Sequence, residues 1–254
     1  MPSLPPPFTL HFKEETGSTN DDAIILAKGG APDFTVVWAL QQTKGRGRFN
    51  RQWKSGGGNL HWTCVLRVGN DSPPLESLAF LSALAVGEVV RDAVHGDRPV
   101  LYKWPNDVMI GDSKVSGTLI EGGYDYGWLV IGIGINLAWR PELTDALYPA
   151  TCLHDAGATI RLDELGVALA RSIHHRVTRW REVGFDSEAH KEYSNFLWHK
   201  DQEIHVSLDA AKMEDVTGIN EGVNERGALL LRVADGTTKT VVAGDVLFTK
   251  PITS

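Results

Sequence analysis

The stretch Thr43-Lys-Gly-Arg-Gly-Arg-Phe-Asn-Arg-Gln-Trp53 is the most informative part of this 254-residue chain. It brings four cations close together with no acidic residue between them, namely Lys44, Arg46, Arg48 and Arg51, although the chain has a net charge of −7. Glycine alternates with the arginines and allows a ligand to approach the main chain closely. Guanidinium groups and free backbone N–H groups together bind anions. The stretch therefore predicts an anion-binding loop, which repulsion among its cations keeps loose while it is empty.

A basic run by itself is also compatible with a solvated surface turn, or with a nuclear-localisation or heparin-binding patch. Ordinary surface turns, however, do not alternate glycine with arginine and continue after Trp53 into Gly56-Gly57-Gly58. Nucleic-acid-binding proteins usually carry a basic domain, whereas the remainder of this chain is acidic. We therefore favour a ligand-binding loop and expect no DNA to be bound.

The composition is that of an ordinary globular protein, with 42% hydrophobic and 22% charged residues. A chain of this length buries a sufficient core without help from disulfides or metal ions. Cys64 and Cys152 fit no metal-ligand spacing, and so few cysteines suit a reducing cytoplasm. No apolar run reaches ~18 residues, and the N-terminal residues do not read as a secretory signal. We predict a cytoplasmic protein that does not insert into membranes.

Small polar side chains precede the basic loop at two places. Alternation over residues 8–15 predicts a strand, after which Ser18, Thr19 and Asn20 open a helix. Ser18 can cap this helix, but the three side chains can instead hydrogen-bond the polar head of a ligand. The next strand brings Gln42 to the edge of the loop, where a ligand contact is favoured.

Further along the chain, two lysines and three other polar residues are predicted to converge near the loop. A proline ends one strand, because it cannot continue a central ladder, and leaves two polar residues at the tip. A glycine–aspartate turn then begins a hairpin whose returning strand carries the second lysine. The group comprises Lys103, Asn106, Asp107, Lys114 and Asn136. Each lysine alone could deter edge-to-edge aggregation, but their convergence beside an arginine loop favours an anion site.

Three common arrangements for binding nucleotides or for nucleophilic chemistry do not fit. Gly132-x-Gly134 begins a dinucleotide fingerprint, but Leu137 stands at the third glycine position and no helix is predicted to follow. The chain has no Gly-Lys-Ser/Thr phosphate loop. Ser18 lacks the Gly-x-Ser-x-Gly context of a nucleophile. Any nucleotide is therefore held in another way.

The predicted elements divide the chain near residue 199, into a domain of residues 1–199 and a domain of residues 200–254. The first part has strands over residues 8–15, 34–42, 59–68, 100–103, 114–121 and 128–135, and long helices over residues 75–94, 163–183 and 187–196. From about Lys200, short alternating strands follow at close spacing, including one predicted over residues 239–249 and broken by Gly244. Such spacing predicts a small barrel.

Five motifs, in this order, resemble the bacterial biotin protein ligases, the biotin–[acetyl-CoA carboxylase] ligases, over nearly the whole chain. The strongest is Gly45-Arg-Gly-Arg-x-x-Arg-x-Trp53, close to the family's Gly-Arg-Gly-Arg-x-Gly-Arg-x-Trp. The others are Ser18-Thr-Asn20, Lys103-Trp-Pro-Asn-Asp107, Lys114-x-Ser-Gly117 and Gly132-x-Gly-Ile-Asn136. Gly227-Ala-Leu-Leu-Leu231 and Gly244-Asp-Val also resemble the family's C-terminal barrel.

The resemblance implies an α+β catalytic domain, with a mixed β-sheet backed by helices as in class II aminoacyl-tRNA synthetases and biotin–lipoate ligases, and a small C-terminal SH3-like β-barrel. It implies that ATP and biotin give biotinyl-5′-AMP and pyrophosphate, with Mg²⁺ present. A lysine of a biotin carboxyl carrier protein would then attack the adenylate. Because family members often pair through the central sheet, a homodimer is possible.

The resemblance also assigns roles to the motif residues. Arg46, Arg48 and Lys114 would act in catalysis by holding two reacting anions together. The biotin contacts would be Ser18, Thr19, Asn20, Gln42, Gly45, Gly117, Gly132 and Gly134, with the last two glycines letting the bicyclic ring lie against the sheet. The ATP contacts would be Arg51, Trp53, Lys103, Asn106, Asp107 and Asn136, with Trp53 near the adenine and Asp107 as a ligand of Mg²⁺.

The chain departs from the family pattern at two loop positions. Asn50 replaces the second loop glycine, and because asparagine tolerates left-handed backbone better than most residues, we expect a modest effect. Lys44 stands where a small residue is usual and adds charge. The first ligase strand begins by Phe8 without a preceding DNA-binding helix-turn-helix, so we expect no repressor role. Two alternatives stay open: a lipoate or octanoate ligase, and a non-catalytic biotin-binding relative.

Overall fold

A computed structural model describes residues 2–142, 148–208 and 215–247 of the chain, apart from the side chains of Asn50 and Leu247. Its larger sheet has seven strands: β1 (Thr9–Thr16), β2 (Thr35–Gln42), β3 (Leu60–Arg67), β4 (Val100–Lys103), β5 (Asp107–Ile110), β6 (Ser113–Gly123) and β7 (Trp128–Ile135). They lie in the order β1-β2-β3-β7-β6-β5-β4. β1 and β2 are parallel and the other neighbours are antiparallel, so the sheet is mixed, as the resemblance implied.

Four helices accompany this sheet: α1 (Thr19–Lys28), α2 (Ser77–Ala93), α3 (Leu162–Val183) and α4 (Ser187–Asn195). The bounds predicted for the last three are correct to within two residues, and for α2 and α3 the prediction came from amphipathic spacing. α4 begins where the carboxylate of Asp186 accepts a hydrogen bond from the backbone N–H of Ala189 at 2.8 Å, a typical helix cap. Among the described residues, no helix combines the length and the apolar composition that crossing a membrane requires.

The helices cover the two faces of the sheet unequally. α2 and α3 contribute to the main core on one face, where alternate side chains of β3 (Leu60, Trp62 and Cys64) are fully buried. α1 lies on the opposite face, where the small side chains of Ala23 and Ala27 allow it to pack closely on the strands. Because α1 is only 10 residues long, it leaves part of that face open, and its first turn borders the resulting cavity.

The C-terminal part forms a five-stranded antiparallel sheet, which confirms the predicted small all-β unit. Its strands are β8 (Glu203–Ser207), β9 (Asp215–Val223), β10 (Leu229–Arg232), β11 (Thr238–Val241) and β12 (Asp245–Leu247), in the order β11-β10-β9-β8-β12. The strand predicted over residues 239–249 is therefore two strands at opposite edges of this sheet. Gly244 separates them with φ +156°, in a position where a Cβ atom would come within 2.8 Å of the carbonyl oxygen of Ser207. The last residues of the predicted strand lie outside the described ranges.

The C-terminal sheet packs directly on the larger one at the end of β4. The indole N–H of Trp104 donates to the carbonyl of Gly227 at 2.9 Å. Gly227 has φ +79° and lies so close to Phe80 that a Cβ atom would be 2.0 Å from its ring. In the same sheet, β12 lies beside the basic loop, where Asp245 pairs with Arg51. The domain boundary near residue 199 stays a prediction.

Candidate active site

A cavity of about 320 Å³ opens on the α1 face of the large sheet, between the basic loop, the first turn of α1, β6, β7 and β12. All of the residues to which the sequence assigned a ligand or catalytic role line it, except Gly45 and Lys103. They come from positions 18 to 136 of the chain, so the fold brings the separate motifs to one place.

The basic loop is a short hairpin. The carbonyl of Gly45 accepts from the N–H of Trp53 at 2.9 Å, and the N–H of Gly47 donates to the carbonyl of Arg51 at 2.7 Å. The left-handed residue at its tip is Phe49 (φ 55°, ψ 36°), whereas the family pattern directed attention to position 50. The Phe49 ring lies 5.0 Å from the Arg48 guanidinium and 5.9 Å from that of Arg51.

The loop arginines already have partners within the protein. Arg46 contacts Asp21 at 2.5 Å and Glu121 at 3.1 Å. The hydrogen bond to Asp21, helped by Glu121, raises the Arg46 pKa against the effect of burial. Arg51 pairs with Asp245 of β12. These carboxylates offset the cation repulsion from which we predicted a loose empty loop.

Arg48 is in a different environment. It donates to the side-chain oxygen of Asn106 at 3.3 Å, and burial lowers its pKa. A partly buried guanidinium that contacts an amide rather than a carboxylate is well suited to receive an anion.

Hydroxyl and amide groups form one connected cluster at the start of α1. The side-chain oxygen of Gln42 accepts from both the N–H (2.8 Å) and the hydroxyl (3.0 Å) of Thr19. The hydroxyl of Thr63 lies 2.8 Å from Thr19 Oγ1 and 2.8 Å from Asn20 Oδ1. Ser18 stands at the N-cap position but its side chain makes no capping hydrogen bond; it lines the cavity instead. The side chain therefore does not make the capping hydrogen bond that its position allowed, and its contact with a ligand stays a prediction.

The two glycines of β7 are required by close contacts within the protein. A Cβ atom at Gly132 would lie 1.9 Å from Asn20 Oδ1, and one at Gly134 would lie 2.5 Å from the Trp53 indole. We expected these glycines to let a bicyclic ring lie on the sheet, but Asn20 and Trp53 occupy that space here. The contact of the bicyclic ring with these glycines stays a prediction. A ring that enters there would first meet the side chains of Asn20 and Trp53.

Gly45 and Gly117 show the same pattern on the neighbouring elements. A Cβ atom at Gly45 would come within 2.7 Å of the Trp53 carbonyl oxygen, which would open the base of the hairpin. A Cβ atom at Gly117 would come within 3.0 Å of the Lys114 ammonium, whose nitrogen also lies 5.7 Å from the Trp53 ring. Both glycines therefore set the positions of side chains on the cavity wall.

A chain of alternating charges runs from the cavity to the C-terminal sheet. Lys114 contacts Asp107 at 2.7 Å; Lys103 lies 3.7 Å from Asp107 and 3.0 Å from Asp245. Burial works against the charge of Lys103, but Tyr148 and Asp245 outweigh it and raise its pKa. Burial also works against the charge of Asp245, but Lys103 and Arg51 lower its pKa to about 2. Lys103 is only 1% exposed, so it stands behind the cavity wall rather than on it.

Asn136 lines the cavity with both ends of its amide occupied. Its Nδ2 donates to the carbonyl of Thr151 at 3.0 Å and its Oδ1 accepts from Asn59 at 3.3 Å. Asn59 in turn accepts from the N–H groups of the three residues after Asn136. In this structure Asn136 therefore organises the chain that leaves β7.

The residues present do not fit a metal ion held by the protein. Within the described parts of the chain, no three histidine, cysteine or acidic side chains are grouped as metal ligands would be. Asp107, to which the sequence assigned Mg²⁺, faces Lys114, Lys103 and the hydroxyl of Tyr148 at 3.3 Å.

No role was assigned from sequence to four residues that hydrogen-bond or pair with members of the site, namely Thr63, Glu121, Tyr148 and Asp245. The alternation of β3 places Thr63 on the same face of the sheet as the cavity, and Glu121 ends the strand that was predicted over residues 114–121, so both had a local signal. Asp245 lies in the Gly-Asp-Val motif, which suggested family membership but no role. Nothing in the irregular sequence around Tyr148 identified it.

The arrangement defines a class of protein when it is compared with known families. Residues 18–136 match the biotin/lipoate A/B protein ligase family, and residues 202–249 match the biotin protein ligase C-terminal domain. The first match contains the described site from Ser18 to Asn136, and the second contains Asp245.

The chain belongs to the biotin protein ligase family. It is 32% identical to the biotin–[acetyl-CoA-carboxylase] ligase of Mycobacterium tuberculosis over 94% of this chain and 88% of that protein. It is 30% identical to the ligase of that name from Paracoccus denitrificans, over 92% of this chain and 98% of that protein. The biotin protein ligase of Aquifex aeolicus, solved with biotin and ATP, superposes with a TM-score of 0.81 at 27% identity, covering 94% of this chain and 97% of that one. The resemblance drawn from the motifs is confirmed, together with its fold.

Proposed function

We propose that this chain converts biotin and ATP into biotinyl-5′-AMP, with loss of pyrophosphate, and passes the biotin to a lysine of a biotin carboxyl carrier domain. The ligase names of the bacterial relatives support this reaction, as does the similarity to a ligase complexed with biotin and ATP. The observation that carries the proposal is a single cavity lined both by a hydroxyl–amide cluster and by Arg46, Arg48 and Lys114.

The chemical task is to bring two anions together. A biotin carboxylate and an α-phosphate repel by about 1 kcal/mol at ~4 Å in bulk water, and several-fold more in a partly dry site. Clustered cations offset this repulsion and align the reacting atoms. Lys114 is suited to the task because its side chain is 23% exposed and is held by one carboxylate, Asp107, which an incoming phosphate can replace.

The reaction proceeds in two substitutions. A carboxylate oxygen of biotin bonds to the α-phosphorus while the bond to the oxygen that bridges the β-phosphate breaks, and pyrophosphate leaves. The neutral amine of the carrier lysine then attacks the acyl carbon, AMP leaves, and the new amide nitrogen loses a proton. The mixed anhydride must be shielded from water between the two steps, and the arginine hairpin is the element placed to cover it.

The assignment of individual contacts follows the family resemblance and the cavity lining. Ser18, Thr19, Asn20 and Gln42 bind the ureido head of biotin. Arg51, Trp53, Asn106, Asp107 and Asn136 contact ATP, whereas Lys103 acts from behind the wall by holding Asp107 and Asp245. Mg²⁺ enters with the triphosphate. A homodimer, the absence of DNA binding and a cytoplasmic location are further parts of this proposal.

Nucleotide turnover with different acids tests the proposal. Pyrophosphate release is measured with biotin, lipoate and octanoate in turn, followed by mass spectrometry of a biotin carboxyl carrier domain. We expect release with biotin only and a mass increase of one biotin on the carrier. Release with lipoate or octanoate instead would identify the alternative acyl-adenylate ligase. Binding of biotin without any release would identify a non-catalytic relative.

A further inference from the structure

Glu121 on β6 stands next to the cavity and contacts two residues that line it. Its Oε2 accepts from Nδ2 of Asn20 at 2.8 Å. Nη2 of Arg46 lies 3.1 Å from each of its carboxylate oxygens. Glu121 thus joins a member of the hydroxyl–amide cluster to an arginine of the basic loop.

The carboxylate fixes which way round the Asn20 amide lies. Nδ2 of Asn20 faces two acceptors, Glu121 Oε2 and the carbonyl oxygen of Leu119 at 3.3 Å. A carboxylate and a carbonyl can only accept hydrogen bonds, so they must meet the amide nitrogen and not the amide oxygen. Asn20 Oδ1 therefore points away from Glu121, to a position over Gly132 and 2.8 Å from the Thr63 hydroxyl.

This orientation gives the cavity a hydrogen-bond acceptor at a chosen place. An amide oxygen can accept two hydrogen bonds, and the single hydroxyl proton of Thr63 can supply only one of them. A cyclic urea carries ring N–H donors, whereas a dithiolane or a plain acyl chain carries none. A site built to hydrogen-bond its ligand rejects analogues that lack the matching group more strongly than an apolar pocket does.

We propose that Glu121 is a positioning residue which, by fixing the Asn20 amide, sets the preference of this site for a cyclic urea over acyl groups without N–H donors. The inference deepens the proposed function and rests on it. Glu121 acts through Asn20, and its contact with Arg46 is a second, separable role.

The substitution Glu121→Gln tests this because glutamine has only one acceptor oxygen. Arg46 is a cation and takes that oxygen, which leaves the glutamine NH₂ group facing Asn20. The Asn20 amide can then turn round, which presents its own NH₂ group to the ligand. If it does not turn, the NH₂ groups of Asn20 and the glutamine face each other without an acceptor between them. Asp21→Asn is the matched control, since it removes the other carboxylate that contacts Arg46 without touching Asn20.

Biotinol, the alcohol analogue of biotin, keeps the urea and has no carboxylate, so it reports on the head of the ligand without the effect of Arg46. Its dissociation constant is measured by calorimetry on the full-length wild type and on both variants. We expect about tenfold weaker binding to Glu121→Gln, as for the loss of one buried hydrogen bond, and a change below about twofold for Asp21→Asn. Equal affinity in wild type and Glu121→Gln, or equal losses in both variants, would overturn the inference.

A compensating pair separates positioning from a merely structural role. Asn20→Asp alone places two carboxylates together and should also weaken biotinol binding at least tenfold. In the double variant Asn20→Asp/Glu121→Gln, the glutamine NH₂ group donates to the new aspartate, which again offers an oxygen to the ligand. We expect binding to recover at least fivefold over Asn20→Asp, and no recovery would contradict the inference. Failure of the wild type to bind biotin or biotinol would instead count against the proposed function.

Discussion

The cationic side chains of this site already contact other groups of the protein. An anionic ligand that binds there has to replace these groups or share the cations with them. Lys114 is paired with Asp107, Arg46 with Asp21 and Glu121, while Arg48 contacts an amide. The pairing keeps a dense positive cluster stable in the empty protein. We therefore expect the charge of each partner to affect how strongly an anion binds at this site.

Replacing Lys114 by alanine should lower biotin-dependent pyrophosphate release by about 100-fold or more, because a cation directed at developing transition-state charge contributes on the order of 3 kcal/mol. Arg46→Gly should have a similar effect. The fold should survive both changes, since both side chains are partly exposed. Lys28→Ala, at the exposed end of α1, is the charge-matched control. Transfer of biotin to the carrier at wild-type rates in the two site variants would refute these assignments.

His61 makes the free energy of unfolding of this protein depend on pH, independently of catalysis. The residue is 1% exposed, neither ring nitrogen has a hydrogen-bond partner among the residues that the structure describes, and burial lowers its pKa from 6.5 to about 4. Between these two values the unfolded chain binds a proton that the folded protein does not. The free energy of unfolding must therefore fall as pH decreases below 6.5.

We expect the wild type to lose about 2 kcal/mol more of its unfolding free energy between pH 7 and pH 5 than the variant His61→Phe, which cannot titrate. Urea unfolding at the two pH values measures this difference. Phenylalanine has a similar size and removes the unpartnered nitrogens, so the variant should remain folded. Parallel losses in wild type and variant would show that His61 is not buried as a neutral ring.

The short strand β12 connects the C-terminal sheet with the cavity wall and with the basic loop. Its Asp245 is the shared partner of the buried Lys103 and of Arg51 in the hairpin. Asp245→Ala removes the nearer carboxylate of Lys103 and leaves it with Asp107 at 3.7 Å and the Tyr148 ring. Breaking a buried pair in this way typically costs about 3–5 kcal/mol.

We expect Asp245→Ala to lower the free energy of unfolding by several kcal/mol and to raise the KM for ATP more than the KM for biotin, since the hairpin loses its anchor at Arg51. Denaturant unfolding and steady-state kinetics measure the two effects. Asp235→Ala, in an exposed turn of the same sheet, should do neither. An unchanged KM for ATP would show that Asp245 does not influence the binding of ATP.

The elements themselves could largely be predicted from sequence, because each depends on a local pattern. β7 is apolar throughout and runs over the predicted residues 128–135, and α3 shows its buried stripe at helical spacing. What local pattern could not give is the order of strands. β7 inserts between β3 and β6, and β11 and β12 lie at opposite edges of their sheet.

The site was predictable where the motif residue faces the cavity directly, and not where it acts through another residue. Arg48 and Lys114 line the cavity as expected. The role of Lys103 depends on Asp245, which is 142 positions away in the chain, and no local rule connects two such positions. The same holds for Glu121, whose partner Asn20 is 101 positions away.

For the molecule as a whole, we expect activity to depend on how the C-terminal sheet packs against the rest of the chain. Gly227 makes this contact, and any side chain there meets the Phe80 ring at 2.0 Å. Gly236 has a comparable backbone (φ +83°) but faces open space. Alanine substitutions at the two glycines therefore distinguish the effect of backbone strain alone from the effect of displacing the sheet.

Gly236→Ala should cost about 1 kcal/mol of stability, the penalty of a left-handed alanine, and leave ligase activity unchanged. Gly227→Ala pays the same backbone penalty, and it should also push the sheet away from Phe80, move Asp245 and lower the rate of adenylate formation at least tenfold. Thermal unfolding and pyrophosphate release measure both variants. If Gly227→Ala were as active as Gly236→Ala, the seating of the sheet would not control the site.

On the proposed function, one cationic cavity brings the biotin carboxylate and the α-phosphate of ATP together. The most direct measurement is a crystal structure of the full chain with biotin and a non-hydrolysable ATP analogue. We predict the arginine hairpin turned inward, with the carboxylate and the α-phosphate both within hydrogen-bonding distance of Arg46, Arg48 or Lys114. A hairpin turned to solvent, with the two ligands bound elsewhere or apart from each other, would contradict the account.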